Sequence, residues 1–118
     1  MLELMQRLIA YKYSCKLNHW GTDSYAKHLL FDRLQEGIDD FADNIAEQYF
    51  MANHKNKDLT AEVLGIKFVN SDLVKSTQEI NAHIEKIMAD GKLSQGILSL
   101  LGTIAEAFDE KLALLTLK

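Results

Sequence analysis

The amino-acid sequence predicts an all-α protein in which four helices pack as an antiparallel bundle. Apolar residues recur every three or four positions along most of the chain, which is the spacing of amphipathic helices. The 118 residues include no proline and six glycines, so little interrupts a helix. Hydrophobic residues make up 47% of the chain and charged residues 25%, a composition that supports a buried core. We therefore expect residues 1–118 to form a single domain.

The first two helices are predicted from the capping and breaking residues around them. Helix 1 is expected over residues 2–19, and Gly21 allows the chain to reverse after it. Helix 2 begins after Asp23 or Ser24, either of which can cap its free amides. No breaker follows until about residue 52, which predicts an unbroken rod about 43 Å long at about 1.5 Å per residue.

A polar connection and two further helices complete the prediction. Residues 59–64 are expected to form a short helix between helices 2 and 3, and the best strand candidate, residues 66–69, is short. Helix 3 starts at Asn70 or Ser71 and ends at Gly91. Helix 4 covers residues 94–117. Four amphipathic helices in one domain favour the antiparallel bundle.

The charge and the cysteine content narrow the class of protein. A net charge of −4 has the wrong sign for a protein that neutralises nucleic-acid phosphates. The single cysteine, Cys15, cannot form an internal disulfide and is most simply a small core residue. No segment resembles a signal peptide or a membrane span, so a cytoplasmic location is expected.

Helix 2 carries two different stripes when it is unrolled at about 100° per residue. The apolar stripe, expected to face the core, consists of Phe31, Leu34, Ile38, Phe41, Ile45 and Tyr49. On another side of the helix, Asp32, Asp43 and Glu47 lie near His28. Imidazole and carboxylate groups together form a ligand set expected for iron and similar metals.

The spacing of these polar residues predicts a site shared between two copies of the chain. His28 and Asp32 are one helical turn apart, and so are Asp43 and Glu47. However, Asp32 and Asp43 are about 16 Å apart along a straight helix, too far to bind one ion. Two antiparallel copies would oppose the two pairs symmetrically about Gly37, which lacks a side chain and allows close approach. The prediction is a two-fold dimer with two identical sites.

Residues near the end of helix 1 extend the candidate site. His19 adds a second nitrogen ligand, and Trp20 is expected to lie beside the metal. Taken singly, each carboxylate is better explained as part of a solvated face, and His28 as a surface histidine. The shared face and the symmetric placement favour a metal site. His54 is interpreted as an exposed loop residue and His83 as a partly buried surface histidine.

The segment HWGTDSYAKHLLFDRLQEGIDDFADNIAEQYF resembles the Dps family, the miniature ferritins named as DNA-binding proteins from starved cells. The resemblance covers mainly residues 17–50. His19 and Trp20 match the HW pair that ends the first helix in this family. His28 and Asp32 match its second histidine and the aspartate four residues later.

The D-x-x-x-E pair of the family is matched by Asp43 and Glu47, at the family's distance from the second histidine. The resemblance implies a ferritin-like four-helix bundle that assembles as a dodecameric cage. It implies oxidation of Fe(II) by hydrogen peroxide or dioxygen at a ferroxidase centre on a two-fold interface, with storage of ferric mineral. One subunit would supply His19, His28 and Asp32, and the other Asp43 and Glu47, with one carboxylate able to bridge two irons. Trp20 would have a catalytic role by passing an electron to the oxidant.

Other features of the chain bear on this resemblance. The sequence begins almost at the first helix and lacks the lysine-rich tail through which some members hold DNA, so direct DNA binding is not expected. The acidic group on helix 4 is interpreted either as a solvated face or as an iron-entry pore; its members are Glu106, Asp109 and Glu110.

Two alternative hypotheses remain beside the mini-ferritin. The first is a non-catalytic, oligomeric helical bundle that keeps a Dps-like dimer interface as a structural or interaction protein. The second is a zinc or manganese binder without oxidase activity. The sequence favours the mini-ferritin because a purely structural interface has no reason to bury five metal-type ligands, given the cost of unpaired charge.

Overall fold

The computed structural model describes residues 1–117, and all regular secondary structure in that range is helical. Five α-helices make up most of it: α1 (Leu2–Gly21), α2 (Tyr25–Leu34), α3 (Ile38–Ile45), α4 (Leu73–Ala89) and α5 (Gln95–Leu115). A π-helix (Ala46–Met51) continues directly from α3. Three short 3-10 helices precede α4, at Asn56–Asp58, Ala61–Leu64 and Ile66–Phe68. The all-α prediction is confirmed.

Side chains cap the N-termini of three of the five α-helices, α2, α4 and α5. The Ser24 hydroxyl accepts a hydrogen bond from the Lys27 amide, which confirms one of the two predicted caps of the second helix. The cap of α4 is Asp72, not Asn70 or Ser71, because the Asn70 side chain instead accepts a hydrogen bond from the Asp72 amide at 2.9 Å.

The core forms where α1 packs on α2, α3 and α4, and where α4 packs on α5. At its centre the Tyr11 and Phe108 rings meet edge to face, with centroids 5.0 Å apart. The Thr77 hydroxyl lies 3.0 Å from the Tyr11 hydroxyl and donates to the Leu73 carbonyl at 2.6 Å. The apolar stripe predicted for the second helix faces this core, with Leu34, Ile38 and Ile45 buried and its other members half-buried.

The connection between the π-helix and α4 contains the three 3-10 helices, and the second and third of these pack on α1. The short helix predicted at residues 59–64 is present as the 3-10 helix Ala61–Leu64. Of the strand candidate, residues 66–69, the first three form another 3-10 helix, and no strand occurs within residues 1–117. Gly65 lies so close to α1 that a Cβ atom there would overlap the Gln6 carbonyl.

The prediction of one unbroken second helix is wrong. The helix breaks at residues 35–37, where Gly37 has a left-handed φ of +81°. Glycine adopts this conformation without the Cβ clash that other residues meet. The buried Lys111 of α5 donates a hydrogen bond from Nζ to the Glu36 carbonyl at 3.0 Å, satisfying a carbonyl that the break exposes. The 43 Å rod is replaced by two shorter helices that meet at this kink.

Beyond the kink, α3 widens into the π-helix. The Ala52 amide donates a hydrogen bond to the Glu47 carbonyl, five residues earlier, at 3.2 Å. The Lys55 amide donates in the same way to the Phe50 carbonyl. Side chains after Ile45 therefore lie at different angles from those of an ideal α-helix. None of the helices within residues 1–117 is long and apolar enough to span a membrane.

Candidate metal centre

A pair of histidines joins the end of α1 to the start of α2. His19 lies in the last turn of α1, and His28 lies in the first turn of α2 after a three-residue connection. The two residues exchange hydrogen bonds: His19 Nδ1 to the His28 carbonyl at 2.8 Å, and His28 Nδ1 to the His19 carbonyl at 2.9 Å. Their rings stack with centroids 3.6 Å apart and planes 23° apart. The predicted proximity of these two residues is confirmed.

These hydrogen bonds determine the tautomer of both rings. A carbonyl oxygen only accepts, so Nδ1 of each histidine carries the proton. In the neutral ring Nε2 then holds the lone pair, which is the form of imidazole that binds metal ions. A backbone carbonyl holding the opposite ring nitrogen is also the usual support of a metal-ligating histidine. The donor chemistry of the pair therefore fits a metal such as iron.

The stacking limits how the pair can bind. Each Nε2 lone pair lies in the plane of its ring, and a metal–imidazole bond is about 2.1 Å long. Two nearly parallel rings 3.6 Å apart cannot both direct their lone pairs at one ion at that distance. As they stand, His19 and His28 are suited to two separate ions, one for each ring.

The three candidate carboxylates are exposed and lie on both sides of the kink. Asp32 is on α2, where its Oδ1 accepts a hydrogen bond from Gln35 Nε2 at 2.7 Å. Asp43 is on α3, and Glu47 is in the first turn of the π-helix. The kink invalidates the straight-helix geometry that placed all three on one side of a rod with His28. Within residues 1–117 of one chain, no three His, Cys, Asp or Glu side chains form a group able to hold an ion.

Several exposed apolar side chains lie close to His19 and His28 in the sequence. Trp20 follows His19 and is 67% exposed, while Leu29 follows His28 and is 51% exposed. These two residues, with Tyr13, Leu17 and Tyr25, make up what we term the α1–α2 apolar face. Its α1 members, at spacings of four and three residues, share one side of the helix.

Sequence reasoning found the two histidines but missed features that orient them. The exchange of hydrogen bonds with backbone carbonyls has no sequence signature. Leu17 and Leu29 were also missed, although the spacing of Tyr13, Leu17 and Trp20 could have indicated a second apolar side on helix 1.

The acidic residues of α5 have partners at the surface. Asp109 accepts a hydrogen bond from Asn81 Nδ2 at 2.9 Å, and Glu110 forms an ion pair with Arg33 at 3.3 Å. Glu106 is exposed. These contacts favour the solvated-face interpretation over an iron-entry pore.

The remaining residues singled out in the sequence lie where expected. His54 is exposed in the connection after the π-helix, and His83 is partly buried. Cys15 is fully buried, and burial raises the pKa of its thiol to about 12.

The fold and this site define an all-helical protein with a preformed, metal-compatible histidine pair. The model of DUF5856, a family of unknown function, matches residues 19–115, and the chain belongs to that family. The matched region begins at His19 and includes all five candidate ligands. No curated protein and no solved structure matches the chain.

Proposed function

We propose that this protein is a Dps-like mini-ferritin, which binds and oxidises Fe(II) at a centre shared by two subunits. The observation that carries the proposal is the reciprocally hydrogen-bonded pair of His19 and His28, whose Nε2 atoms are left for metal ions. The protein would store ferric iron and limit oxidative damage in the cytoplasm.

The proposal assigns the helices to a ferritin-like, antiparallel four-helix bundle. In this assignment α1, α4 and α5 are three of its helices. The fourth is the kinked helix made of α2, α3 and the π-helix. The 3-10 helices between the π-helix and α4 take the place of a short connecting helix. Short connections after α1 and α4 support this arrangement, because they favour antiparallel neighbours.

The second subunit would complete the site. Because the straight-rod geometry does not hold, the proposal requires a two-fold axis beside the kink at Gly37 that brings α2 of one copy to α3 and the π-helix of the other. His28 and Asp32 of one chain then oppose Asp43 and Glu47 of the second. The same contact would cover the α1–α2 apolar face, which supports the dimer because exposed aromatic surface is stabilised by burial. The proposal includes the assembly of these dimers into a dodecameric cage.

The residues suit the oxidation of iron as substrate. Imidazole nitrogens suit Fe(II), and carboxylate oxygens stabilise the harder Fe(III) product. Two ferrous ions each give one electron to one molecule of hydrogen peroxide, which takes up two protons and leaves as two water molecules. In this scheme the exposed Trp20, next to His19, passes an electron to the oxidant when fewer ferrous ions are bound. Zinc could occupy the same ligands but has no redox chemistry.

The proposal is tested by anaerobic Fe(II) titration followed by peroxide, with the ferric absorbance as the readout. The Asp43→Asn, Glu47→Gln double variant is expected to lose most of the oxidation rate because its amides cannot supply the anionic oxygens. A double variant of two other exposed acids, Asp40→Asn with Glu85→Gln, is the matched control and should oxidise iron normally. Oxidation at the normal rate by the Asp43, Glu47 variant would exclude the assignment. Metal binding without any ferric signal would favour the zinc or manganese binder.

A subunit-mixing experiment tests whether the site is shared. Homodimers of His28→Ala and of Glu47→Gln each lack a ligand in both sites. In a heterodimer of the two variants, one interface site keeps every ligand and the other loses two. Isolated heterodimers should therefore recover about half of the oxidation sites. Verified heterodimers with no recovery would contradict a site shared between chains.

A further inference from the structure

A cavity of about 670 Å³ lies away from the histidine pair, between the end of the π-helix, the end of α4 and the start of α5. Its volume is within the range of small-molecule sites. None of the five candidate metal ligands lines it, and the mini-ferritin proposal gives this cavity no role.

The lining of the cavity is cationic although the chain is acidic. Lys55, Lys86 and Lys92 line it, and Asp90 is the acid that lines it among residues 1–117. Lys92 Nζ and the Asp90 carboxylate form a long ion pair, with 4.0 Å between the two groups. The whole chain carries a net charge of −4, so this local excess of positive charge is a distinct feature of the surface. A cleft lined by one sign of charge concentrates ligands of the opposite sign.

The start of α5 adds to the positive potential. Ser94 and Ile97, which cap and begin this 21-residue helix, both line the cavity. The free amides and the dipole of a helix N-terminus favour an anion, and phosphate groups in particular. The cavity therefore combines three lysines with the positive end of a long helix.

His83 contributes a polar atom without a partner. Its Nδ1 donates to the Glu3 carboxylate at 2.8 Å, and Nε2 is buried with no hydrogen-bond partner among residues 1–117. Burial lowers the pKa of His83, which favours the neutral ring with a lone pair on Nε2. The ring lines the cavity, although Nε2 itself is covered by protein atoms, so His83 adds a mainly neutral surface to the lining.

Apolar side chains supply the rest of the lining. Tyr49, Ile87, Leu93 and Ile97 belong to this part of the lining. Inorganic phosphate would leave this apolar surface uncovered, whereas an organic body attached to the phosphate would bury it. The combination indicates a ligand with an anionic end and an apolar or aromatic part.

We propose that this cavity binds a small phosphate ester with an organic body, of about the size of a nucleoside monophosphate. The three lysines and the start of α5 bind the phosphate, and the apolar lining contacts the organic body. This ligand site is independent of the metal centre, so either proposal can fail without the other.

Isothermal titration calorimetry with adenosine monophosphate, ribose 5-phosphate, inorganic phosphate and adenosine tests the proposal on the full chain. We expect at least one of the two phosphate esters to bind more tightly than inorganic phosphate and than the uncharged adenosine. Binding should weaken as salt is raised, since charge steers and holds the ligand. Absence of binding by both esters, or equal binding of adenosine and its monophosphate, would overturn the proposal.

Charge-removing variants locate the site. Lys86 and Lys92 are exposed, so Lys86→Gln and Lys92→Gln should leave the fold intact. Each should weaken binding of the phosphate ester by roughly threefold or more, and the double variant by roughly tenfold. Lys75→Gln, on the same helix as Lys86 but outside the cavity, is the control and should leave binding unchanged. Equal affinities for the double variant and the control would place any binding elsewhere and overturn the assignment.

Discussion

Replacing Gly37 with alanine tests the kink between α2 and α3. An alanine held at a left-handed φ costs about 1–2 kcal/mol. The nearest described atoms to an added Cβ are in the Phe41 ring, at 3.7 and 3.8 Å, which is ordinary contact. The cost is therefore conformational, and the lower entropy of the unfolded alanine chain offsets about 0.4–1 kcal/mol of it. We expect the free energy of unfolding to fall by about 1 kcal/mol.

Gly102→Ala is the matched control because Gly102 lies inside α5. An added Cβ there meets no described atom within 4 Å. Alanine in a helix interior should raise the free energy of unfolding by about 0.5–1 kcal/mol. The measurement is urea unfolding followed by circular dichroism, at one fixed protein concentration because the proposed dimer would make stability depend on concentration. Gly37→Asn should recover part of the loss, since asparagine tolerates the left-handed conformation.

The sign of the Gly37→Ala effect decides between two geometries. If this variant is stabilised as much as Gly102→Ala, residue 37 is helical and the second helix runs unbroken. The kink described here would then be refuted, and the straight-rod geometry of the candidate site would apply again.

Two further predictions concern the core. Thr77→Val should lower the free energy of unfolding by about 1–3 kcal/mol, because the Tyr11 hydroxyl loses its buried acceptor; Thr103→Val at the exposed surface should change it little in the same urea assay. An equal effect of the two substitutions would contradict this account. Cys15 should resist an aromatic disulfide reagent at pH 8 in the folded protein and react fully in urea, because it is buried and its pKa is raised to about 12. Immediate labelling of the folded chain would show that the α1 core opens readily.

Local sequence signals predicted most of the helix boundaries. The hydroxyl of Ser24 and the left-handed Gly91 act as the predicted start and stop signals because their effect depends only on near neighbours. The kink was missed because a glycine inside a helical pattern costs only about 1 kcal/mol and is often tolerated there. What stabilises the break is Lys111, 75 residues away from Glu36, which no local pattern could indicate.

The candidate site was predictable in its residue types and less so in its geometry. The proximity of His19 and His28 followed from a short connection between two helices. Their stacked rings depend on the carbonyl that each histidine finds nine residues away, which is a property of the packed helices. The positions of Asp43 and Glu47 depend on a kink and a π-helix, and the periodicity of the sequence predicts neither.

The two hydrogen bonds between His19 and His28 also join the two ends of a short loop in the chain. Bringing two flexible ligands together costs loop-closure entropy, which grows as about (3/2)RT ln n for n residues between them. Here folding alone has already imposed that cost, and each ring is held by an acceptor before any ion arrives. In the proposed centre, with one ion on each ring, metal binding should therefore lose little chain entropy, and its affinity should depend mainly on desolvation and on the remaining ligands.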